Sequence, residues 1–435
     1  MSEKFGLSPR LLAFHALKDW KAGKGFLSDL IRQHGKKEDE KDRAVAIEIA
    51  HGVCRNLTLL EHNLRRFVKF LPKGHARWVL FIGAYQMYQD KRFEAHTAVN
   101  LTVEVAKKVL SRKEVPMVNG VLRSMGREKF DVPRHSKKLK NVAIAYSHPG
   151  WMIHRWNEEL GFNKTIRRLR HNNSEPVHWV RLAPKKISQE EINKEFGEDL
   201  EWRFERYFQL NSPLREFLKH PMFLEGKLSL QDPSSWLMTR LLDLKGEETV
   251  LDLCSAPGGK TALLLEEFEN LKVISSELKP GRLKSLKDVE NRLRLSTQLL
   301  CMDGRTPALK EESFSHILLD APCSNLGVLS RRVEARWLEG VKEIHKQAEL
   351  QKELLEKAIS LLKPGGVLVY GTCSPEPEET YQLIETFLEE HPELEVESAR
   401  KYIHRNHCYS KYLRIIPQPG SMDGFFGVRL CKKAD

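Results

Sequence analysis

The chain has 435 residues, 41% of them hydrophobic, so it is long enough for about three packed domains of roughly 150 residues each and is not disordered as a whole. No run of about 18 apolar residues occurs, and the opening residues MSEKFGLSPR do not resemble a signal peptide, so we expect a cytoplasmic protein with no membrane partner. Seven scattered cysteines without a C-x-x-C pair argue against a disulfide framework and a standard zinc finger.

The net charge of +12 comes from the first third of the chain. Residues 1–140 contain 29 Lys and Arg against 15 Asp and Glu, whereas the remaining residues contain 42 against 44. A localised basic region is typical of proteins that bind a polyanion, most often a nucleic acid. The alternative is a solvated basic surface that aids solubility.

Helical periodicity dominates residues 1–135. Apolar residues recur three or four positions apart in five segments, residues 7–23, 42–70, 76–91, 96–110 and 115–125. Because no alternating strand pattern interrupts these segments, we predict an all-α bundle domain.

Two further domains follow in the prediction. Residues 145–232 begin with a helical segment and continue as short mixed segments, which indicates linker helices and a small α/β module. From residue 233 to 435 strands alternate with helices, which is typical of a doubly wound, mainly parallel sheet. The expected fold class is therefore multidomain, with a helical bundle, a small α/β module and a Rossmann-like α/β domain.

Acidic residues end the first four predicted strands of the last domain, at Asp252, Glu277, Asp303 and Asp320. Ligands of such sheets bind beyond the carboxyl ends of the strands. The first strand leads into the loop 254–260, CSAPGGK, whose glycines permit a sharp turn but match neither a P-loop nor G-x-G-x-x-G. Carboxylates would repel a pyrophosphate and suit S-adenosylmethionine, which carries ribose hydroxyls, an amino group and a sulfonium.

Two cysteines, Cys323 in LLDAPCSN and Cys373 in LVYGTCSP, follow the fourth and fifth predicted strands. A thiol beside a methyl donor is what methylation of a pyrimidine at C5 requires, because a thiolate added to C6 makes C5 nucleophilic. The neighbouring Lys260 would favour the thiolate, Asp320 would hydrogen-bond the pyrimidine ring, and the second thiol would assist product release. Cys54, Cys254, Cys301 and Cys431 are mostly predicted to be small core residues.

These motifs match a known family. APGGKT, DAPCS, YGTCS and DGFF, together with SHPGWMIHRW and QDPSSWLM, make the chain resemble the bacterial 16S ribosomal RNA (cytosine-5)-methyltransferase B family, the Sun/Fmu proteins, over nearly its whole length. The resemblance implies a NusB-like RNA-binding domain in residues 1–135. It also implies a 16S rRNA partner, free or in a partly assembled small subunit, and we expect the protein to be a monomer.

The resemblance also assigns site residues. It makes Cys373 the nucleophile and Cys323 the thiol that aids release, although in the analogous DNA enzymes the thiol after proline is the nucleophile, so motif position leaves the roles open. It places around S-adenosylmethionine the residues Cys254, Ser255, Ala256, Pro257, Gly258, Gly259, Lys260, Glu277, Asp303 and Asp320.

Three positions depart from the family pattern. Asn325 stands where a small residue is usual, Val333 where a proline is common, and Gly371 where serine or alanine is usual. These departures bear on substrate contacts and not on the class of reaction.

Arginines in two groups are predicted to contact RNA phosphates: Arg167, Arg168 and Arg170 in one, and Arg331, Arg332 and Arg336 in the other. Each member of the second group is equally well predicted to be in a surface ion pair. No metal site is expected, because the cluster HRNHC at residues 404–408 lacks an evident fourth ligand.

Two other functions stay open at this point. One is the same C5 methylation on transfer RNA or another RNA, which the N-terminal helical domain disfavours. The other is a non-catalytic RNA-binding or ribosome assembly factor, which the presence of both thiols and all the strand-end acids disfavours. Transfer of a labelled methyl group to RNA would separate the last from the enzymes.

Overall fold

The computed structural model describes residues 8–89, 94–134, 136–197, 200–337 and 340–434. The described chain forms two compact units. The first contains the residues up to Asn173 and the short segment 332–337, and the second contains the rest. None of the helices in the described ranges is long and apolar enough to cross a lipid bilayer.

The first unit is built from helices, as the periodicity predicts. They are α1 Ser8–Lys21, α2 Leu27–His34, α3 Glu40–Arg55, α4 Leu57–Leu64, α5 His75–Gln89, α6 Ala95–Val109, α7 Glu114–Met125, α8 Leu139–Ala145, α9 Gly150–Leu160 and α10 Phe162–Asn173. The apolar faces of α1 to α7 meet in one core that includes Phe14, Leu17, Val53 and Phe81. Burial of such a continuous apolar stripe from each helix is what holds a bundle together.

Helices α9 and α10 belong to the first unit, so the boundary between the two compact units lies after Asn173. The predicted boundary between domains lies earlier, near residue 145. The assignment of 1–135, 145–232 and 233–435 as functional domains stays a prediction. The 3-10 helix Val333–Trp337 also belongs to the first unit. There the side chain of Val333 is fully buried in the helical core, which accounts for an aliphatic residue where the family commonly has proline.

The second unit begins with the small α/β module. Its elements are β1 His178–Leu182, α11 Gln189–Phe196, β2 Leu200–Phe204, β3 Tyr207–Leu210, α12 Leu214–Phe217, α13 Pro221–Leu224 and β4 Leu228–Leu230. The strands form an antiparallel sheet in the order β2-β3-β1-β4.

A large mixed sheet follows in the same unit. Its elements are α14 Pro233–Arg240, β5 Thr249–Asp252, α15 Gly259–Glu267, β6 Lys272–Glu277, α16 Pro280–Leu293, β7 Gln298–Cys301, β8 Phe314–Asp320, α17 Val341–Leu361, β9 Leu362–Thr372, the 3-10 turn Pro377–Glu379, α18 Tyr381–Glu390, β10 Leu394–Glu397, the 3-10 turns Ala399–Lys401 and Arg405–His407, β11 Cys408–Tyr409, β12 Tyr412–Ile415 and β13 Phe425–Lys432.

The order of this sheet is β11-β12-β13-β9-β8-β5-β6-β7, with β10 also paired to β13. Strands β5 to β9 are parallel, and β13 joins β9 antiparallel. Successive residues of the parallel strands enter two different cores, since Leu251 packs on one face and Val250 on the other. A sheet buried on both faces explains the continuous apolar runs in these strands.

The order in which strands are added to the sheet reverses at β5. From β5 the chain proceeds outward through β6 and β7, and then returns to place β8 and β9 on the other side of β5. This switch point opens a crevice beyond the carboxyl ends of β5 and β8. The loop 254–260 follows β5 at this edge, and Asp320 ends β8.

The start of one strand differs from the sequence pattern. The pattern predicts that KPGG, residues 363–366, stops the long helix before it, and α17 does end at Leu361, but β9 already begins at Leu362, so residues 363–366 lie within the bounds of the strand. The pairing with β8 jumps from Phe314↔Leu362 to His316↔Val367, which makes this segment a bulge.

Candidate active site

The loop after β5 is held by its neighbours before any ligand is considered. The backbone N–H and the hydroxyl of Ser255 both donate to the carbonyl of Ser276 at 3.0 Å, and Arg282 donates to the carbonyl of Ala256 at 2.7 Å. Asp252 is buried and accepts a hydrogen bond from the Thr261 hydroxyl at 2.6 Å, and burial raises its pKa to about 7. The hydrogen bond between Asp252 and Thr261 therefore stabilises the loop by joining the end of β5 to the start of α15.

The two glycines of this loop are required by its geometry. Gly258 precedes α15 with a φ of +100°, and a Cβ there would lie 3.0 Å from Leu286. A Cβ on Gly259 would lie 3.0 Å from the side-chain nitrogen of Gln231. With both side chains absent, the first N–H groups of α15 are left accessible to a ligand.

The residues present suit a nucleoside with a positive charge. Glu277 ends β6 as a buried carboxylate, paired with Arg282 at 3.3 Å, in the position from which an acidic residue binds ribose hydroxyls. Asp303 follows β7, and its carboxylate pairs with Arg305 at 2.7 Å. One oxygen of Asp252 is buried without a hydrogen-bond partner. Acidic groups and backbone donors around a glycine loop fit S-adenosylmethionine.

Lys260 and Asp320 form the polar part of the crevice. The ammonium of Lys260 donates to the Asp320 carboxylate at 2.6 Å and lies 5.3 Å from the centre of the Phe425 ring. Both side chains are partly exposed, so the pair faces the crevice and is not sealed in the core. An ion pair in this position offers a hydrogen-bond acceptor and a cation to a substrate.

The structure brings the two predicted thiols together. Asp320 pairs with Gly371 in the parallel register of β8 and β9, so the loops that follow these strands leave the sheet side by side. The sulfurs of Cys323 and Cys373 lie 3.0 Å apart, and both residues are partly exposed. This confirms the prediction that neighbouring strand ends bring both thiols to one place.

The environment of Cys373 favours the protonated thiol. Its hydrogen bond with Cys323, burial and the Asp320 carboxylate raise its pKa well above its usual range, whereas the positive charge of Lys260 lowers it. A thiolate is the nucleophilic form, so the cation is the group in this site that favours reactivity.

Asn325 is a site residue that the sequence analysis noted as a departure without giving it a role. Its side-chain amide donates to the carbonyl of Cys323 at 2.9 Å, and its oxygen accepts from the thiol of Cys373 at 3.4 Å. Its φ is +60°, a conformation that glycine adopts freely and that asparagine tolerates better than most residues. The signal was the departure itself, a residue tolerant of left-handed backbone directly after DAPCS.

Gly371 also has a local explanation. A Cβ at this position would lie 2.7 Å from the terminal methyl of Met238 and 3.0 Å from the Phe425 ring. The buried side chain of Met238 therefore occupies the space that serine or alanine would fill.

The predicted arginine contacts need correction at three positions. Arg336 is fully buried in the first unit, where it donates to the carbonyls of Ser147 and Asn172, and is therefore not accessible to RNA. Arg168 is buried over the Trp156 ring. Arg331 is in an ion pair with Asp423 at 2.7 Å, as the alternative interpretation predicts.

Other predicted RNA contacts remain accessible. Arg167 and Arg170 are exposed on α10. Arg332 lies in the first unit with its guanidinium 4.4 Å from the Phe26 ring centre. The first histidine of the HRNHC segment stabilises the local 3-10 turn, because His404 accepts a hydrogen bond from the N–H of Asn406 at 3.3 Å.

A doubly wound sheet with a glycine loop at its switch point and acidic strand ends suits a methyltransferase that uses S-adenosylmethionine. Comparison with known proteins makes this specific. Residues 239–431 match the family model described as 16S rRNA methyltransferase RsmB/F, and residues 7–127 match the NusB family. The chain belongs to the RsmB/F family of rRNA methyltransferases, and its helical bundle is a NusB domain.

Relatives cover nearly the whole chain. Ribosomal RNA small subunit methyltransferase B of Yersinia pseudotuberculosis is 32% identical over 429 residues, which is 94% of each chain. The solved structure of PH0851 is 26% identical, with a TM-score of 0.80 over 97% of this chain and 98% of its own. NSun6 from Pyrococcus horikoshii, solved with SFG, is 21% identical with a TM-score of 0.55 over 65% of this chain and 97% of its own, which shows a shared fold.

Proposed function

We propose that this protein transfers a methyl group from S-adenosylmethionine to C5 of a cytosine in 16S ribosomal RNA, through a covalent bond between Cys373 and C6. The observation that carries the proposal is the pair of thiols 3.0 Å apart at the strand ends, beside Lys260 and Asp320. Methylation of an amino group or a hydroxyl requires no thiol, whereas C5 of a pyrimidine is not nucleophilic until C6 carries one.

Each side chain has a step in this reaction. The Cys373 thiolate, favoured by Lys260, adds to C6, while Asp320 accepts a hydrogen bond from the exocyclic amine of the cytosine. S-adenosylmethionine, when bound by the loop 254–260 and Glu277, supplies the electrophilic methyl group that C5 attacks. A base then takes the C5 proton, the C5–C6 double bond re-forms and the Cys373 sulfur leaves as a thiolate; Cys323, 3.0 Å from that sulfur, is the group we assign to accept the proton and so assist release.

The target base must leave its stack to reach these groups. Extrusion costs a few kcal/mol and least for a base in a loop. The excess of basic residues in the NusB domain favours phosphate contacts that would offset this cost. We propose small-subunit rRNA, free or partly assembled, as the partner of a monomeric protein in the cytoplasm. The names of the Yersinia relatives support small-subunit rRNA as the partner.

The test is transfer of a labelled methyl group from S-adenosylmethionine to 16S rRNA, followed by digestion to nucleosides. We expect label in 5-methylcytidine, and none with Cys373→Ala. Label in transfer RNA alone would support the same chemistry on another RNA. RNA binding without any methyl transfer, to naked rRNA or to small-subunit particles, would support an assembly factor and overturn the proposal.

A further inference from the structure

One buried carboxylate contacts both thiol loops. Glu379 closes the 3-10 turn after β9 and is fully buried. Its carboxylate accepts four hydrogen bonds: from the backbone N–H of Ser324 at 2.8 Å, from the Ser324 hydroxyl at 2.5 Å, from the Ser374 hydroxyl, and from the Gln351 amide at 3.2 Å. Glu379 was not singled out by any motif considered in the sequence.

The two serines directly follow the two cysteines. Ser324 comes after Cys323 and Ser374 after Cys373, and their hydroxyls lie 3.2 Å apart. Gln351 strengthens the same connection, because its amide also donates to the carbonyl of Pro322 at 2.9 Å. A single carboxylate therefore joins the loop after β8 to the loop after β9, one residue away from each sulfur.

Burying a carboxylate in this space costs free energy, because the charged group loses its contact with water. Burial raises the pKa of Glu379, and the hydrogen bonds from both serines and from Gln351 oppose that rise. Apolar residues of similar volume commonly stabilise a core as well as a buried charge does or better. What they do not supply is a directional acceptor with several lone pairs that fixes two backbones at one separation.

We propose that Glu379 is a positioning residue that holds the two sulfurs at the separation needed for the covalent addition and the release step. The inference rests on the proposed function for its consequence and on the hydrogen bonds alone for its geometry. When the carboxylate is lost, the two loops separate, and Cys373 and Cys323 no longer act on the same base.

The geometry can be tested without RNA or cofactor. Phenylarsine oxide bridges two thiols, forming two As–S bonds and releasing one water, so its affinity reports whether both sulfurs reach one arsenic atom. The Cys323→Ala variant gives the affinity for a single thiol. We expect Glu379→Ala to lose about tenfold or more of the parent's affinity, approaching that baseline, because simultaneous engagement depends on geometry. Alkylation of each cysteine by iodoacetamide should persist.

The catalytic consequence is measured separately. We expect Glu379→Ala to lower kcat for methyl transfer by about a hundredfold, as a displacement of about 1 Å commonly does, with KM for S-adenosylmethionine within about twofold of the parent. Glu379→Gln keeps the shape and one acceptor oxygen and should fall between. Glu385→Ala, at an exposed position on α18, is the matched control and should leave arsenical affinity and kcat unchanged.

A double variant keeps the carboxylate but removes both hydroxyl bonds, Ser324→Ala with Ser374→Ala. It decides the question if Glu379→Ala does not fold, and we expect it to lose arsenical affinity while thermal unfolding still shows a folded protein. Unchanged arsenical affinity in the folded variants would overturn the positioning role. Lost arsenical affinity in a protein whose parent methylates no cytosine would uphold the geometry and reject the proposed function.

Discussion

Cys373 owes its expected reactivity to a balance of neighbours. Cys323, burial and the Asp320 carboxylate hold the pKa of its thiol well above the usual range, and Lys260 acts in the opposite direction. The thiolate fraction grows as the pH rises through the pKa. The reactivity of Cys373 should therefore continue to increase at pH values above the pKa of an ordinary thiol, which is about 8.5.

Asp320→Asn removes a charge that raises the pKa of Cys373. The midpoint of Cys373 alkylation should therefore move to lower pH, and Lys260→Met should move it to higher pH. The measurement is the pH dependence of iodoacetamide labelling, followed on the Cys373 peptide by mass spectrometry. Midpoints that do not move, or that move in the opposite directions, would contradict the electrostatic account of the site.

Gly327 passes directly over the backbone of the nucleophile. Its N–H donates to the carbonyl of Cys373 at 2.8 Å, and its carbonyl accepts from Gly424 at 3.0 Å. A Cβ on Gly327 would lie 2.5 Å from the carbonyl oxygen of Gly424 and closer still to that of Cys373. Neither backbone can move without shifting the thiol loop.

Gly327→Ala should therefore lower the free energy of unfolding by about 1–3 kcal/mol. The protein that remains folded should also transfer methyl groups more slowly. Gly281→Ala in α16 is the control, since a Cβ there meets nothing within 4 Å, and it should be neutral or slightly stabilising. Denaturant unfolding and methyl-transfer rates measure both effects. Wild-type activity in Gly327→Ala would show that this close approach does not position Cys373.

Sequence analysis anticipated the sulfurs but not the groups that hold them. The thiols could be predicted because strand ends in a parallel sheet share one edge and each cysteine follows a strand. Gly327 and Glu379 act through a backbone contact and a buried acceptor, and each of these exists only once distant segments have come together; Asn325 left a local signal, but its contact with Cys373 also joins two loops. Met238 could not have been predicted to explain Gly371 for the same reason.

Among the elements, strand β1 of the small module is joined to helix α15 by a buried ion pair. Arg181 donates to Glu266 at 2.5 and 3.3 Å, and both side chains are almost completely buried. Burial raises the pKa of Glu266, and the charge of Arg181 opposes that rise. The pair fixes the small sheet against the helix that follows the cofactor loop.

Arg181→Met should lower the free energy of unfolding by about 3–5 kcal/mol, because it leaves a buried carboxylate without its main partner. The loss should shrink as the pH is lowered and Glu266 becomes protonated, since a neutral carboxyl needs no counter-charge. Adding Glu266→Gln should restore much of the stability. Equal losses in the single and double variants, measured by urea unfolding, would show that the pair does not join these elements.

The long elements followed from periodicity and the short ones did not. Strand β6, Lys272–Glu277, ends at the residue where the sequence analysis placed the end of the second strand, because a buried run between turn residues is a strong signal. Strands β10 and β11 have four and two residues, and their pairing with β13 and β12 is decided by the edge of the sheet and not by local pattern. The KPGG segment kept its turn preference as an unpaired bulge within β9, where Gly365 has a φ of +74°.

For the whole molecule, the charge distribution predicts how RNA is bound. The basic excess lies in residues 1–140, and further exposed arginines follow on α10. Composition alone revealed this asymmetry. It could not show that the side chains of Arg168 and Arg336 are buried and therefore cannot contact RNA. The affinity for rRNA should therefore be strongly salt-dependent.

Replacing Arg167 and Arg170 together by alanine should weaken rRNA binding and reduce the steepness of log K against log[salt] by about 1.4, if each contacts one phosphate of single-stranded RNA. Lys363→Ala, at an exposed position in the bulge of β9, is the control and should leave the slope unchanged. Filter binding at several salt concentrations measures the slope. An unchanged slope in the double variant would place the RNA elsewhere.

The covalent bond between Cys373 and a cytosine is tested most directly with rRNA that contains 5-fluorocytidine. Fluorine at C5 cannot leave as a proton does, so a base that has been attacked and methylated stays attached to the protein. With S-adenosylmethionine present, peptide mass spectrometry should find the RNA on Cys373, and Cys373→Ala should form no adduct. An adduct on Cys323, or none in a protein that still methylates unmodified rRNA, would contradict the account.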